Sequence, residues 1–140
     1  MVNTILVPVD GSAASLRALE HAAFRKRNAN GETSIVVLNV QVPLPPSRYV
    51  TRTMIRDHNS RMSVAALRLA RSKSRLLKLD ANFQARQGDP AAVVVRFAKA
   101  AGCREIIMGT RGRGRAAIFV LGSVALRVVQ LASVPVTLIK

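Results

Sequence analysis

Short apolar runs recur along this chain and alternate with segments of helical periodicity. Such alternation is typical of βαβ units, in which parallel strands are covered by crossover helices. The chain has 140 residues, a common size for one domain. We therefore expect a single α/β domain over residues 1–140, with five parallel strands at 4–9, 34–40, 82–87, 106–109 and 134–139.

Capping residues mark the helices between these strands. Ser12 predicts the start of a first helix that ends near Asn30 and Gly31. Asp89 followed by Pro90 predicts the start of a third helix. We expect this third helix to end at Gly102 and to bury Val93, Val94 and Phe97.

The longest helical segment combines an apolar stripe with a row of cations. Its apolar residues recur at seven-residue steps, at Ile55, Met62, Leu69 and Leu76. We expect these on the buried face. The cations lie mostly between them, at Arg56, Arg61, Arg68, Arg71, Arg75 and Lys78. Such a row is more often solvated than bound to a nucleic acid, and the net charge keeps both interpretations open.

The formal net charge is +15 at pH 7, from 22 Lys and Arg against 7 Asp and Glu. This excess attracts polyanions, but it does not distinguish a nucleic acid from a phosphorylated small molecule. Cys103 is the single cysteine, which excludes an internal disulfide, and no His or Cys has metal-ligand spacing. No apolar run reaches the roughly 18 residues of a membrane span, and no secretory leader is recognisable, so we expect a cytoplasmic protein.

The last apolar run begins at Val134 and ends at Ile139. Pro135 lacks the amide N–H that a central strand uses, so we expect this strand at an edge of the sheet. An apolar edge strand offers unpaired backbone groups to a second copy. The sequence therefore makes this strand a candidate dimer interface.

Two loops that follow strands carry residues suited to a phosphorylated ligand. Open parallel sheets bind ligands at the carboxyl ends of their strands, where the strand order reverses. The carboxylate of Asp10 can accept hydrogen bonds from ribose hydroxyls or a base amine. Gly109, Gly112 and Gly122 let the backbone approach an anion, and Ser123 opens a final helix whose amides point at it. The alternatives are structural: a plain loop for the glycine turn, and helix capping for Asp10 and Ser123.

Two familiar phosphate-binding motifs do not match this turn. A Walker loop needs Lys before the Ser that opens the helix, where Leu121 and Gly122 stand. The dinucleotide fingerprint needs an immediate helix and an acid about 20 residues later, a position that falls at the end of this chain.

The spacing that does match is Gly-x2-Gly-x9-Gly-Ser, formed by Gly109, Gly112, Gly122 and Ser123. It resembles the nucleotide-binding members of the universal stress protein family. The resemblance extends over nearly the whole chain, through ILVPVDGS (5–12), VLNV (37–40), GDP (88–90), IIMGTRG (106–112) and residues 122–136. It implies a Rossmann-like open sheet in the order 3-2-1-4-5 with helices on both faces, a homodimer through the last strand, and ATP as the usual ligand. Any Mg²⁺ would be held through the phosphates.

The resemblance also implies which residues bind the nucleotide. The base and ribose would be lined by Pro8, Val9, Asp10, Val40 and Met108. The ribose and phosphates would be held by Gly109, Gly112, Gly122, Ser123 and Val124. Arg111 and Arg113 add positive charge to the turn and are further candidates. Asn39 and Arg111 stand where many relatives have His. The resemblance therefore specifies the fold more closely than the identity of the ligand.

Three functions are consistent with these features. The leading hypothesis is an adenine-nucleotide-binding protein that acts as a binding or signalling module in the stress response. The alternative is a protein that binds nucleic acid through its basic surface without reading sequence. Catalysis, at most slow nucleotide hydrolysis, is the least expected, because it needs a positioned base and Asp10 is the one acid placed at the site. We assign no catalytic residue.

Overall fold

The computed structural model describes residues 2–45, 47–111 and 121–140. Strands and helices alternate through these ranges, as β1 (Asn3–Pro8), α1 (Ala13–Arg27), β2 (Thr33–Gln41), α2 (Arg52–Leu76), β3 (Asn82–Gln87), α3 (Pro90–Ala100), β4 (Glu105–Gly109), α4 (Ser123–Leu131) and β5 (Val136–Ile139). Each predicted strand is present, with ends within two residues of the expected ones.

The five strands form one sheet in the order β3-β2-β1-β4-β5, and every neighbouring pair is parallel. β1 lies at the centre, where Leu6 pairs with Val36 on one side and with Ile106 on the other. The order implied by the family resemblance is confirmed. β5 is an edge strand, as Pro135 predicts, and it begins at Val136 rather than at Val134.

Helices cover both faces of the sheet. Alternate strand residues face opposite ways, so the strands contribute to two separate cores. One core joins Ile5, Val7 and Ile107 to residues of α1 and α2. The other joins Leu6 and Met108 to residues of α3 and α4. The expected helices on both faces are therefore confirmed.

Local capping explains most helix boundaries. The hydroxyl oxygen of Ser12 accepts a hydrogen bond from the Ser15 amide at 3.2 Å, and Asp89 accepts one from the Ala92 amide at 3.1 Å. α1 ends at Arg27, before the predicted Asn30 and Gly31. It stops early because Asn28 caps it: both the backbone amide and the side-chain amide of Asn28 donate to the Phe24 carbonyl.

The third helix largely follows its sequence pattern. Val93 and Val94 are buried as expected, whereas Phe97 is only partly buried. After the helix, Gly102 adopts a φ of +64°, a left-handed conformation that favours glycine.

The predicted buried face of α2 is partly wrong. Ile55 is buried, but Met62 is only half-buried, and Leu69 and Leu76 are 47% and 82% exposed. The residues actually buried are mostly small or polar, namely Asn59, Ser63, Ala66, Leu67, Ala70 and Ser74. α2 packs against α1 and β2 through these short side chains, which a pattern of large apolar residues does not reveal. Neither α2 nor any other described helix is long and apolar enough to cross a membrane.

Candidate functional site

A cleft of about 390 Å³ opens at the carboxyl ends of β1, β2 and β4, where the strand order reverses. The described candidate residues all line it: Pro8, Val9 and Asp10 after β1, Val40 in β2, Met108, Gly109 and Arg111 at β4, and Gly122, Ser123 and Val124 at α4. Gly112 and Arg113 lie outside the described residues. The structure therefore brings the described candidates together, and their role in binding stays a prediction.

Apolar side chains form one part of the cleft. Leu38 and Val40 project from β2 on the same face as Met108 of β4. Pro90 and Val94 of α3 complete this part of the wall. An apolar wall with few polar groups is what flat organic ligands occupy. Leu38, Pro90 and Val94 were not predicted to line the site, although Leu38 could have been found because it shares a strand face with Val40.

The start of α4 forms the polar part. Gly122, not Ser123, is the N-cap residue, so the capping alternative for Ser123 is wrong. Glycine has no side chain to accept from the first-turn amides, whereas α1, α2 and α3 are capped by the side chains of Ser12, Thr51 and Asp89. Amides at a helix start are an anion-binding arrangement. Ser123 is exposed beside them and lines the cleft.

Short hydrogen bonds hold the two ends of the glycine turn together. The Gly122 amide donates to the Thr110 carbonyl at 2.7 Å, and the Thr110 amide donates to the Ile139 carbonyl at 2.9 Å. The start of α4 is therefore fixed against the end of β4 and, through it, against β5.

Asp10 is half-buried and faces the cleft from the loop after β1. Its Oδ1 accepts a hydrogen bond from the Ser12 amide at 2.9 Å, while Ser12 itself holds the N-cap position of α1. Asp10 thus shapes the turn before α1 without being its cap. Among the described residues that line the cleft, Asp10 is the single acid and Arg111 the single formal cation. No group of three or more potential metal ligands occurs in the described ranges.

Gly109 of β4 lies directly against the start of α1. A Cβ atom at this position would lie 2.8 Å from the Ala14 Cβ and 2.9 Å from the Ala14 carbonyl carbon. Real Cβ atoms do not tolerate such distances, and backbone atoms cannot easily move aside. We expected glycine at position 109 because it lets the backbone come close to an anion. The packing of α1 against β4 also requires glycine here, so that expectation was incomplete.

Asn39 supports the cleft from the opposite face of the sheet. It is completely buried, and its Nδ2 donates to the Val9 carbonyl at 2.8 Å. Its Oδ1 accepts from the Ser63 hydroxyl at 2.9 Å and from the Gln41 side chain at 3.0 Å. Asn39 does not line the cleft. It fixes the backbone immediately before Asp10.

An ion pair joins the two helices that border the cleft. One guanidinium nitrogen of Arg127 in α4 lies 2.8 and 2.9 Å from the two carboxylate oxygens of Asp89, the cap of α3. The hydrogen bond from Arg127, with that from the Ala92 amide, lowers the pKa of Asp89 below its ordinary value.

Comparison with known proteins places this chain in a family. The model of the universal stress protein family matches residues 1–140. Universal stress protein YxiE of Bacillus subtilis is 28% identical over 148 residues, covering 100% of both chains. A universal stress protein solved in complex with cAMP superposes with a TM-score of 0.72 at 21% identity, covering 99% of this chain and 96% of that one. A family protein from Arabidopsis thaliana with AMP bound gives 0.67 at 23% identity, covering 99% and 91%. Since the family model matches the whole chain, this protein belongs to the universal stress protein family.

Proposed function

We propose that this chain binds an adenine nucleotide in the cleft between β1 and β4. One observation carries the proposal: candidate residues from four separate segments line a single cleft at the reversal of strand order. The solved family proteins with cAMP and AMP support adenine as the base, since both ligands are adenine nucleotides.

The chemistry of the cleft fits the parts of such a ligand. The apolar wall around Val40 and Met108 suits the base. The Asp10 carboxylate suits ribose hydroxyls, and the amides at the start of α4 with the Ser123 hydroxyl suit phosphate oxygens. Each such bond contributes about 1 kcal/mol net, and about twice that to a charged phosphate, so several together support roughly micromolar affinity.

Within this proposal, ATP is the nucleotide, and Mg²⁺ accompanies it on the phosphates. The described cleft offers one carboxylate, Asp10, and no cluster of acids to hold a metal directly. Occupancy of the cleft, rather than turnover, is then the signal that a cytoplasmic stress-response module would transmit. Hydrolysis is at most slow.

The same proposal includes a homodimer through β5. β5 is the free edge of the sheet next to β4. Its side chains are half-buried within one chain, so each keeps surface that a second copy can cover. Val136 and Leu138 pack partly on one core and Ile139 on the other, so both faces of this edge strand are anchored to the protein.

Isothermal titration with ATP and AMP tests the binding site. Wild type is expected to bind an adenine nucleotide saturably, and more tightly than GTP. Val40→Trp fills the apolar part of the cleft and is expected to reduce affinity at least about tenfold, which corresponds to about 1.4 kcal/mol. Val64→Trp is the matched control, because Val64 is 56% exposed on α2, away from the cleft. Absence of binding to any adenine nucleotide, or equal losses in the two variants, would contradict the proposal.

A further inference from the structure

Three arginines form a line along the solvent side of α2. Arg61, Arg68 and Arg75 recur at seven-residue steps, and all three are exposed. Two helical turns separate neighbours, so their backbones lie about 10.5 Å apart along the helix axis. We call these three residues the arginine line.

In the part of the chain that the structure describes, none of the three arginines forms an ion pair with an acid, although Asp57 lies four residues before Arg61 on α2. Other cations do pair with acids: Arg25 with Glu105, Lys73 with Glu20, and Arg127 with Asp89. The residues from 112 to 120 contain no Asp or Glu. α2 contains one acid, Asp57, near its beginning.

A further cation reinforces the line instead. The Arg71 guanidinium lies 4.4 Å from the centre of the Phe83 ring on β3 and adds positive charge beside Arg68 and Arg75. Like charges on one helix face weaken a fold slightly, so folding does not require this row. A bound polyanion would turn the same repulsion into attraction.

The composition of α2 narrows the kind of polyanion. Ile55, Ala66 and Leu67 of α2 are buried within the protein, whereas Val64, Leu69 and Leu76 are exposed, so the test includes vesicles of anionic lipid. The helix contains no Phe, Tyr or Trp, the residues that anchor at membranes or stack on single-stranded bases. Arginine side chains form bidentate hydrogen bonds with phosphates. Because α2 offers phosphate-binding groups but no aromatic residue to stack on unpaired bases, a duplex is favoured over a single strand.

We propose that the arginine line docks on the sugar–phosphate backbone of double-stranded DNA without reading its sequence. The step of about 10.5 Å is close to the roughly 12 Å width of the B-DNA major groove, so neighbouring arginines can contact phosphates on opposite rims. The major groove of an RNA duplex is narrower and deeper. This surface is separate from the cleft, because α2 lies on the opposite face of the sheet from α3 and α4.

Fluorescence anisotropy with a labelled DNA duplex tests the proposal. One variant combines Arg61→Gln, Arg68→Gln and Arg75→Gln. Its matched control combines Arg27→Gln, Arg96→Gln and Lys99→Gln, which removes the same charge from exposed positions on α1 and α3. Glutamine keeps a high helix propensity, and circular dichroism checks that both variants fold. An RNA duplex and vesicles of anionic lipid are measured in parallel.

Wild type and the control are expected to bind the DNA duplex with affinities within about threefold of each other, and the arginine-line variant about tenfold or more weakly at low salt. Three lost phosphate contacts should also make the slope of log K against log salt less steep by about 2.7. Equal losses of DNA affinity in both variants would mean that net charge alone accounts for binding, and would overturn the proposal. So would a wild type that does not bind the duplex, RNA bound at least as tightly as DNA, or an effect seen only with the vesicles.

Discussion

A Cβ atom on Gly109 would lie 2.8 Å from the Cβ of Ala14, so the end of β4 and the start of α1 meet without room for a side chain. Gly109→Ala is therefore expected to destabilise the fold by about 1–3 kcal/mol, in the range of overpacked cores. Urea unfolding followed by circular dichroism measures the change.

Ala14→Gly supplies the control for this contact. In the double variant the nearest atom is gone, but the Ala14 carbonyl carbon at 2.9 Å remains. The second substitution should thus recover part of the lost stability, measured against Ala14→Gly alone. A Gly109→Ala protein as stable as wild type would show that the approach of α1 to β4 is looser than described.

Asp89 makes the junction of α3 and α4 sensitive to acid. Its pKa lies below the ordinary value because Arg127 and the Ala92 amide donate to its carboxylate. A depressed folded-state pKa means that the charge stabilises the fold above the ordinary aspartate pKa of about 3.9, and that this stabilisation is lost as pH falls through the folded-state value.

Asp89→Asn keeps a capping side chain and removes the charge. Wild type should be more stable than this variant at pH 6, and the difference should shrink as the pH falls below about 3.9. Thermal melts across this range measure it. In an Arg127→Gln background the pH-dependent difference should be smaller, and a difference independent of both pH and Arg127 would refute this role of the ion pair.

β5 presents alternate backbone groups to β4 and to the free edge. The Ile106 amide donates to the Pro135 carbonyl and the Thr110 amide to the Ile139 carbonyl, so Leu138, between them in register with Met108, directs its amide outward. Leu138→Pro removes that outward amide without removing a bond to β4. We expect it to weaken the proposed dimer.

Leu138→Ala is the matched variant, because it loses the same side chain and keeps the amide. Size-exclusion chromatography with light scattering should give a dimer for wild type and for Leu138→Ala, and a monomer for Leu138→Pro. A monomeric wild type, or the same mass for both variants, would argue against pairing through this edge.

The strands and most helix starts could be predicted because their signals are local. Apolar runs bounded by Ser12, Asp89 and Pro90 mark strand ends and caps within a few residues. The buried face of α2 could not be predicted in this way. Its inward residues, such as Ser63 and Ala70, are small because α2 lies close to its neighbours, and that closeness depends on tertiary packing.

The candidate site shows the same division. The glycine turn and Asp10 could be predicted from the sequence, because each lies in a loop that follows a strand at the ligand-binding end of the sheet. The packing of Ala14 against Gly109 and the hydrogen bond from Asn39 to the Val9 carbonyl could not be predicted from the sequence. Each depends on a contact between segments far apart in the chain.

The most direct test of nucleotide binding in the cleft is a titration of ¹⁵N-labelled protein with ATP, followed by amide chemical shifts. We predict saturable shifts of the Asp10, Val40, Ser123 and Val124 amides, with the amides of residues 61–75 on α2 nearly unchanged. Shifts confined to α2, or no saturable shift anywhere, would contradict it.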